Sequence, residues 1–538
     1  MDVSGYFARP VPPAHRKWWA LLALTALLLW ATAAYVHLHF LSTPTLDGWC
    51  YFAPAAFATF PPALFSPLLG SFAGLDAAWG MHWPGVVALQ TVLLAPLPAS
   101  SALHVLYFIG LWAALALLAG WLAFRLSGNG WAGWVVAAVV LTDRAAFAIA
   151  FEMRPELATA LAMLLTLALL IHSGDLGRRG WFGFYLLCFL LPTLHPMGVI
   201  FCGALGLVLG ALAIRGEWSW GRYVVMAVCM AGGALGAVAY IVLQPAAWAQ
   251  FKDHAAFNTV PFSWGYTFWL HLKASYAPLY AGFATYVLAL AGAGYFLLRQ
   301  GPARQRQEAR WLAPVASLFL ISLLVAQVFH NKDYVTTLLP IALLLAAVLV
   351  VTILRHLGGW PRLGVAVAVL ALVALNAAYW PARTLNYVPY GLPDLRSEIV
   401  RFYDGLPEAP RVGVPIKLWQ AAAIHPRPGV LLTTLPHHAT TPRREAYERF
   451  VGKQLRAGDL LVIDHRYGIQ PTYYLPEGLL LEPIDRLDRV LTFRGGKQGG
   501  FDLVAYRLVA AAEASPEAIA PPDPGRRRAP ASISEVYD

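Results

Sequence analysis

Charge is scarce in this chain. Asp, Glu, Lys and Arg make up 13% of its 538 residues, against about a quarter in a soluble globular domain. That shortage excludes an ordinary water-soluble fold for most of its length. Cysteine is scarcer still. Cys50, Cys188, Cys202 and Cys229 have no metal-ligand spacing, and three of them lie in apolar runs, so no disulfide framework is implied. No G-x-G-x-x-G or P-loop string is present, which argues against nucleotide binding. No small-residue cleavage site follows the first apolar run, which therefore reads as a retained signal-anchor span. Internal repeats are absent too, whereas an inverted-repeat transporter would show paired broken spans in its two halves.

What is present is apolar. Hydrophobic residues form 59% of the chain, and its mean hydropathy is +0.57. Trp, Tyr and Phe are plentiful, as the water–lipid boundary favours. The formal net charge of +10 does not point to nucleic acid, because the basic residues sit between apolar runs, as the positive-inside bias places them. The expected fold class is an α-helical polytopic membrane protein with a C-terminal extracytoplasmic α/β domain, and membrane lipid is its solvent.

Residues 1–17 read as a cytoplasmic N-terminus ending in His15-Arg16-Lys17, and a first span follows at 18–40. Basic clusters then fall at every second turn: Arg125; Arg178 and Arg179; Arg215 and Arg222; Arg299 to Arg310; and Arg355 to Arg362. Placing all of them inside gives about 11 spans over residues 18–380. The outer loops are then 41–100, 142–156, 244–276 and 330–334. The first of these is broken by seven prolines, from Pro54 to Pro98, and reads as short interfacial helices. Residues 381–510 read as a soluble outer domain with strands at 412–416, 430–434, 460–464, 490–493 and 503–507 and helices at 394–404 and 442–455. Residues 511–538, rich in Ala, Pro and charge, read as a disordered tail. The Ala, Leu, Arg and Pro-rich style suggests a bacterial cytoplasmic (inner) membrane.

Ionisable residues at membrane depth are costly and mark function, so the outer loops are the informative places. Asp47 follows the first span in Leu46-Asp47-Gly48-Trp49; the bland reading is an Asp-Gly turn. His82-Trp83-Pro84 lies in the same loop. Glu152-Met153-Arg154-Pro155-Glu156 opens a span; Pro and Glu there are also good helix-start chemistry. A helical hairpin turns at His195-Pro196-Met197-Gly198. His330-Asn331-Lys332-Asp333-Tyr334 precedes a span containing Leu339-Pro340.

In that order and topology, residues 15–380 resemble the polytopic GT-C glycosyltransferases, the superfamily of protein O-mannosyltransferases and lipid A aminoarabinose transferases. The resemblance implies an inverting enzyme that takes a sugar from a polyprenyl-phosphate donor and passes it to a hydroxyl of a glycan, lipid or protein acceptor on the outer face. It maps Asp47 to the general base, Glu156 to the second-loop catalytic acidic residue, and Arg154, Lys332 and Tyr334 to the donor phosphate. His82, Glu152, His195 and His330 stand as further donor or acceptor contacts. Gly48 after Asp47 departs from families with an acidic pair there, and His82-Trp83-Pro84 departs from those with His-Pro-Pro. No metal-ligand set is assigned. The outer histidines His254, His271 and His330 leave a divalent cation open as a cofactor without supplying a ligand spacing.

The physics suits that chemistry. A positioned carboxylate removes the acceptor proton, a contribution of about 10²–10⁴-fold. Fixed Arg and Lys donors favour a phosphate leaving group as it gains charge. The alternative class is a transporter or flippase of lipid-linked sugars, which would place ionisable residues within the spans; few are there.

Overall fold

The computed structural model describes residues 84–94, 101–143, 154–243, 281–298, 310–326, 332–387, 392–415, 429–432, 455–465, 478–492 and 498–518, with a few single positions between. Within these, apolar helices alternate with short turns: α1 (Pro84–Leu94), α2 (Ser101–Ser127), α3 (Gly130–Thr142), α4 (Glu156–Ile171), α5 (Arg178–Leu194), α6 (Pro196–Ile214), α7 (Trp220–Val242), α8 (Ala281–Leu298), α9 (Leu312–Ala326), the single turn α10 (Lys332–Thr336), α11 (Leu339–His356) and α12 (Gly359–Tyr387). Among the described residues four stretches, Leu106–Ser127, Pro196–Ile214, Trp220–Val242 and Leu339–His356, are long and apolar enough to cross a membrane; Gly130–Thr142, Glu156–Ile171, Ala284–Leu298, Leu312–Ala326 and Gly359–Leu375 are shorter apolar stretches. The first expected span and most of the 41–100 and 244–276 loops lie outside the described residues.

Lipid tails are as apolar as leucine, so helix association in a bilayer rests on close packing rather than on burial from water. Small residues at the crossings reflect this. A Cβ on Gly120 of α2 would lie 2.7 Å from the Gly133 carbonyl of α3, and one on Gly133 would lie 2.8 Å from the Gly120 carbonyl. The two backbones therefore touch. Beside them Trp112 donates its indole N–H to the Val140 carbonyl at 2.9 Å. A side chain on Gly233 of α7 would collide with the Phe189 carbonyl of α5. Of the four long apolar stretches the one in α11 is the most enclosed, with Leu339 to Leu345 all buried. At its far end Arg355 donates to the Ser127 carbonyl at 2.7 Å, a cation at the carbonyl end of α2 where the helix dipole favours it.

α7 and α12 instead present Val224, Val228, Leu235, Val367 and Leu370 outward. In water that apolar wall would be an aggregation liability; against acyl chains it is matched. Counting alternation from α2, the ends carrying Arg125, Arg178, Arg215, Arg222, Arg355 and Arg362 gather on one side. The starts of α4, α6 and α11 gather on the other.

The C-terminal region starts with α13 (Leu392–Gly405) and forms a five-stranded sheet of order β2-β1-β3-β5-β4. β1 (Val412–Val414), β2 (Val430–Leu432) and β3 (Leu460–Asp464) run parallel; β4 (Leu479–Thr492) and β5 (Gln498–Ala510) form an antiparallel hairpin joined to β3 through β5. β1 and β3 are short apolar runs buried on both faces, as covered strands are. Arg427 closes the end of α13. Its guanidinium donates to the carbonyls of Asp404 at 2.7 Å and Leu406 at 2.9 Å and lies 5.1 Å from the Tyr403 ring centre.

The mixed helix and strand content agrees with the expected layer. Strand β4 is much longer than 490–493, because it starts at Leu479 and passes through Pro483 at a register shift between Pro483 and Asp485. β4 is the edge strand, where a proline at a bulge is tolerated and blunts further pairing. The expected helix 442–455 and the tail beyond residue 518 lie outside the described residues.

Candidate active site

The site is built on the start of α4. Pro155 precedes its first residue, with αR backbone angles suited to helix entry. Glu156 then falls at N1, where the amide dipoles favour an anion. Its side chain is enclosed, with 0% residue exposure. Arg154, two residues back, folds over it. Nη2 donates to Oε1 at 2.8 Å, and Nε donates to both carboxylate oxygens at 3.3 Å. The pair is layered: side-chain exposure is 12% for Arg154 and 1% for Glu156. A group approaching from outside meets the guanidinium first, with the carboxylate behind it.

The turn between α5 and α6 supplies the next wall. A single residue, His195, links the two helices. It caps α6: Nδ1 accepts the Met197 backbone N–H at 3.2 Å. Pro196 opens the helix without a donor to satisfy. Gly198 completes the motif, because a Cβ there would collide with the Leu191 carbonyl of α5. The spacing His-Pro-x-Gly thus folds one helix back on the other in a single residue.

With Nδ1 engaged as an acceptor, the neutral ring carries its proton on Nε2. That nitrogen lies 3.7 Å from Glu156 Oε1. Burial is the main force on the His195 pKa and lowers it to about 4; Glu156 pulls it up, and Arg154 pushes it further down. The imidazole is therefore neutral at physiological pH.

Tyr334 closes the group. Its ring meets that of His195 edge-on, centres 4.4 Å apart at 84°, and it is buried. It sits on α10, a single helical turn held by a residue that nothing in the sequence singles out. Tyr286 of α8 donates its hydroxyl to the Val335 carbonyl at 2.8 Å, and Thr337 donates to the Tyr334 carbonyl at 2.6 Å. Lys332 begins the same turn. α1 reaches this end as well, since Gly85 abuts Thr193 two residues before His195.

Four of the sequence-selected residues, Arg154, Glu156, His195 and Tyr334, thus converge. Lys332 is placed by its backbone on α10. Asp47, His82, Glu152 and His330 lie outside the described residues, as do His254 and His271. Among the described residues, no group of three or more His, Cys, Asp or Glu side chains gathers as a metal site.

No family model matches this chain, and no curated protein matches it. Solved structures do. The chain is similar to ArnT from Cupriavidus metallidurans in the apo state, with 14% identity and a TM-score of 0.51 over 94% of this chain and 100% of that one. It is also similar to the same protein bound to undecaprenyl phosphate, with 14% identity and a TM-score of 0.54 over 93% of this chain and 99% of that one. From α1 to β5, the chain shares the fold of that solved ArnT.

Proposed function

We propose that this chain is an inverting glycosyltransferase that moves a sugar from a polyprenyl-phosphate donor to a hydroxyl acceptor on the extracytoplasmic face of the membrane. The observation that carries the reading is the layered pair. Arg154 is the partly exposed member, backed by an enclosed carboxylate, at the start of a helix in the fold of a protein solved with undecaprenyl phosphate. A guanidinium so held matches phosphate geometry and stabilises a leaving group that gains charge.

In this reading Arg154, Lys332 and Tyr334 receive the donor phosphate, and Glu156, the second-loop acidic residue, backs Arg154. Asp47 is the general base that takes the acceptor proton as its oxygen attacks the anomeric carbon. Bond formation to the acceptor oxygen and cleavage of the bond to the phosphate oxygen occur on opposite faces of the sugar. The basic ends of α2, α5, α7 and α11 face the cytoplasm, in a bacterial inner membrane, and the sheet domain lies outside with the site. The acceptor is a glycan, lipid or protein hydroxyl.

The test is a transfer assay in proteoliposomes with polyprenyl-phosphate sugars, read by mass spectrometry of the products. Asp47→Asn is expected to lose about 10²–10⁴-fold in rate while remaining folded. Full activity in that variant would remove Asp47 as the base. Movement of the lipid-linked sugar across the bilayer with no covalent product would replace the transferase by a flippase.

A further inference from the structure

We infer that Glu156 and His195 are positioning residues for Arg154 and do not touch the donor. The inference rests on the reading of Arg154 as a donor-phosphate ligand. Three observations carry it. Glu156 is the inner member of the pair, and both of its oxygens accept from Arg154. His195 is buried as well, 4% exposed, with Nε2 3.7 Å from Oε1 of that carboxylate. Its other nitrogen is fixed by the Met197 N–H, so the ring cannot turn Nε2 away without giving up the cap of α6.

The contacts therefore run from Arg154 to Glu156 to His195, with the carboxylate the most enclosed of the three. Glu156 holds Arg154 by hydrogen bonds, and His195 faces the same carboxylate. A long arginine side chain loses much rotamer freedom when held. The carboxylate holds it before the phosphate arrives, which lowers the cost of binding. A neutral imidazole suits the place beside that carboxylate. It offers an N–H dipole to the carboxylate and adds no net charge that would compete with Arg154 for it.

Asparagine and glutamine separate this role from helix capping. His195→Asn keeps an acceptor for the Met197 N–H, since asparagine is a strong N-cap, but lacks the N–H that faces Glu156. His195→Gln carries a side-chain amide that reaches the place of Nε2. The probe is undecaprenyl phosphate in nanodiscs, titrated against the full-length protein, with thermal unfolding recorded for each variant.

Arg154→Ala is expected to weaken binding at least about tenfold, as loss of a charge-assisted contact does. His195→Asn and Glu156→Gln should each weaken it by roughly tenfold, and His195→Asn should add less than about twofold in the Arg154→Ala background. An equal loss from His195→Asn in both backgrounds would overturn the inference, because His195 would then reach the lipid by another route. Wild-type affinity in His195→Asn would also overturn it, reducing His195 to a cap. Should His195→Asn fail to fold, His195→Gln decides: affinity within about threefold of wild type supports the inference, and a loss as large as that of Arg154→Ala overturns it. Absence of undecaprenyl phosphate binding by the wild-type protein would overturn the donor reading together with this one.

Discussion

Two arginine–carboxylate pairs with nearly the same short contact lie in opposite surroundings. In the helical region Arg154 Nη2 meets Glu156 at 2.8 Å, with side chains 12% and 1% exposed. In the sheet domain Arg486 Nε meets Asp502 at 2.8 Å, with side chains 60% and 17% exposed. The exposed pair has the more regular fork, its second contact from Nη2 being 2.9 Å. Geometry alone would rank it higher. Solvation reverses the ranking, because water stabilises either exposed partner when the other is removed, whereas an enclosed carboxylate left alone has nothing comparable. In this molecule the cost of breaking an ion pair is set by its surroundings more than by its geometry.

The comparison is broken most severely by Arg154→Ala. Leaving Glu156 enclosed without its partner is expected to destabilise the protein by about 3–5 kcal/mol, read as a fall in the thermal unfolding midpoint in detergent. Glu156→Gln in the same background should recover part of that loss, because the uncompensated charge is gone.

Next in size is Gly198→Ala. The added methyl meets the Leu191 carbonyl, and overpacking of this kind costs about 1–3 kcal/mol. Gly203→Ala, on the same helix with nothing within 4 Å of the added atom, should be neutral or slightly stabilising in the same assay.

The pH dependence sharpens the contrast further. His195 takes a proton at about 4 in the folded protein, against an ordinary 6.5. As pH falls, the unfolded chain binds that proton first, so the contribution is whole above about pH 6.5 and is lost between there and about pH 4. Unfolding midpoints measured from pH 7.5 to 4.5 should show this decline in wild type, with a shallower decline in His195→Asn.

The smallest effect belongs to the exposed pairs. Arg489→Gln breaks the fork to Glu398, yet its unfolding midpoint should match wild type within the scatter of replicate measurements, and added salt should not separate the two. A clear loss there would show that the sheet domain's ion pairs work as the enclosed one does.

Much of the architecture is legible in the sequence because bilayer physics leaves few choices. Long apolar runs with Arg125, Arg178, Arg215 and Arg355 at alternate ends give the helices and their turns before any coordinates. The His195-Pro196 turn is legible as well, since a proline after a polar residue between two apolar runs has few other uses. The meeting of Glu156, His195 and Tyr334 is not, because residues on α4, at the α5–α6 turn and on α10 come together only through packing. Tyr286 gives no signal, being one aromatic among many until its hydroxyl is seen on Val335. In the sheet, Leu479–Thr492 mixes apolar and charged residues without a strict alternation, and Pro483 interrupts it. A proline in an edge-strand bulge looks, in sequence, like the end of a strand.

The one-residue link at His195 also bears on how the chain enters the membrane. Two helices joined by one residue suit entry as a paired hairpin, tip first. In the topology proposed above the tip crosses to the outer face, and the ionisable side chain at that tip is an imidazole. Near neutral pH it makes the passage mostly uncharged, whereas an arginine or aspartate at the same tip would carry a full charge through the hydrocarbon. The residue that organises the finished site is thus also one that the insertion machinery can transport at little expense.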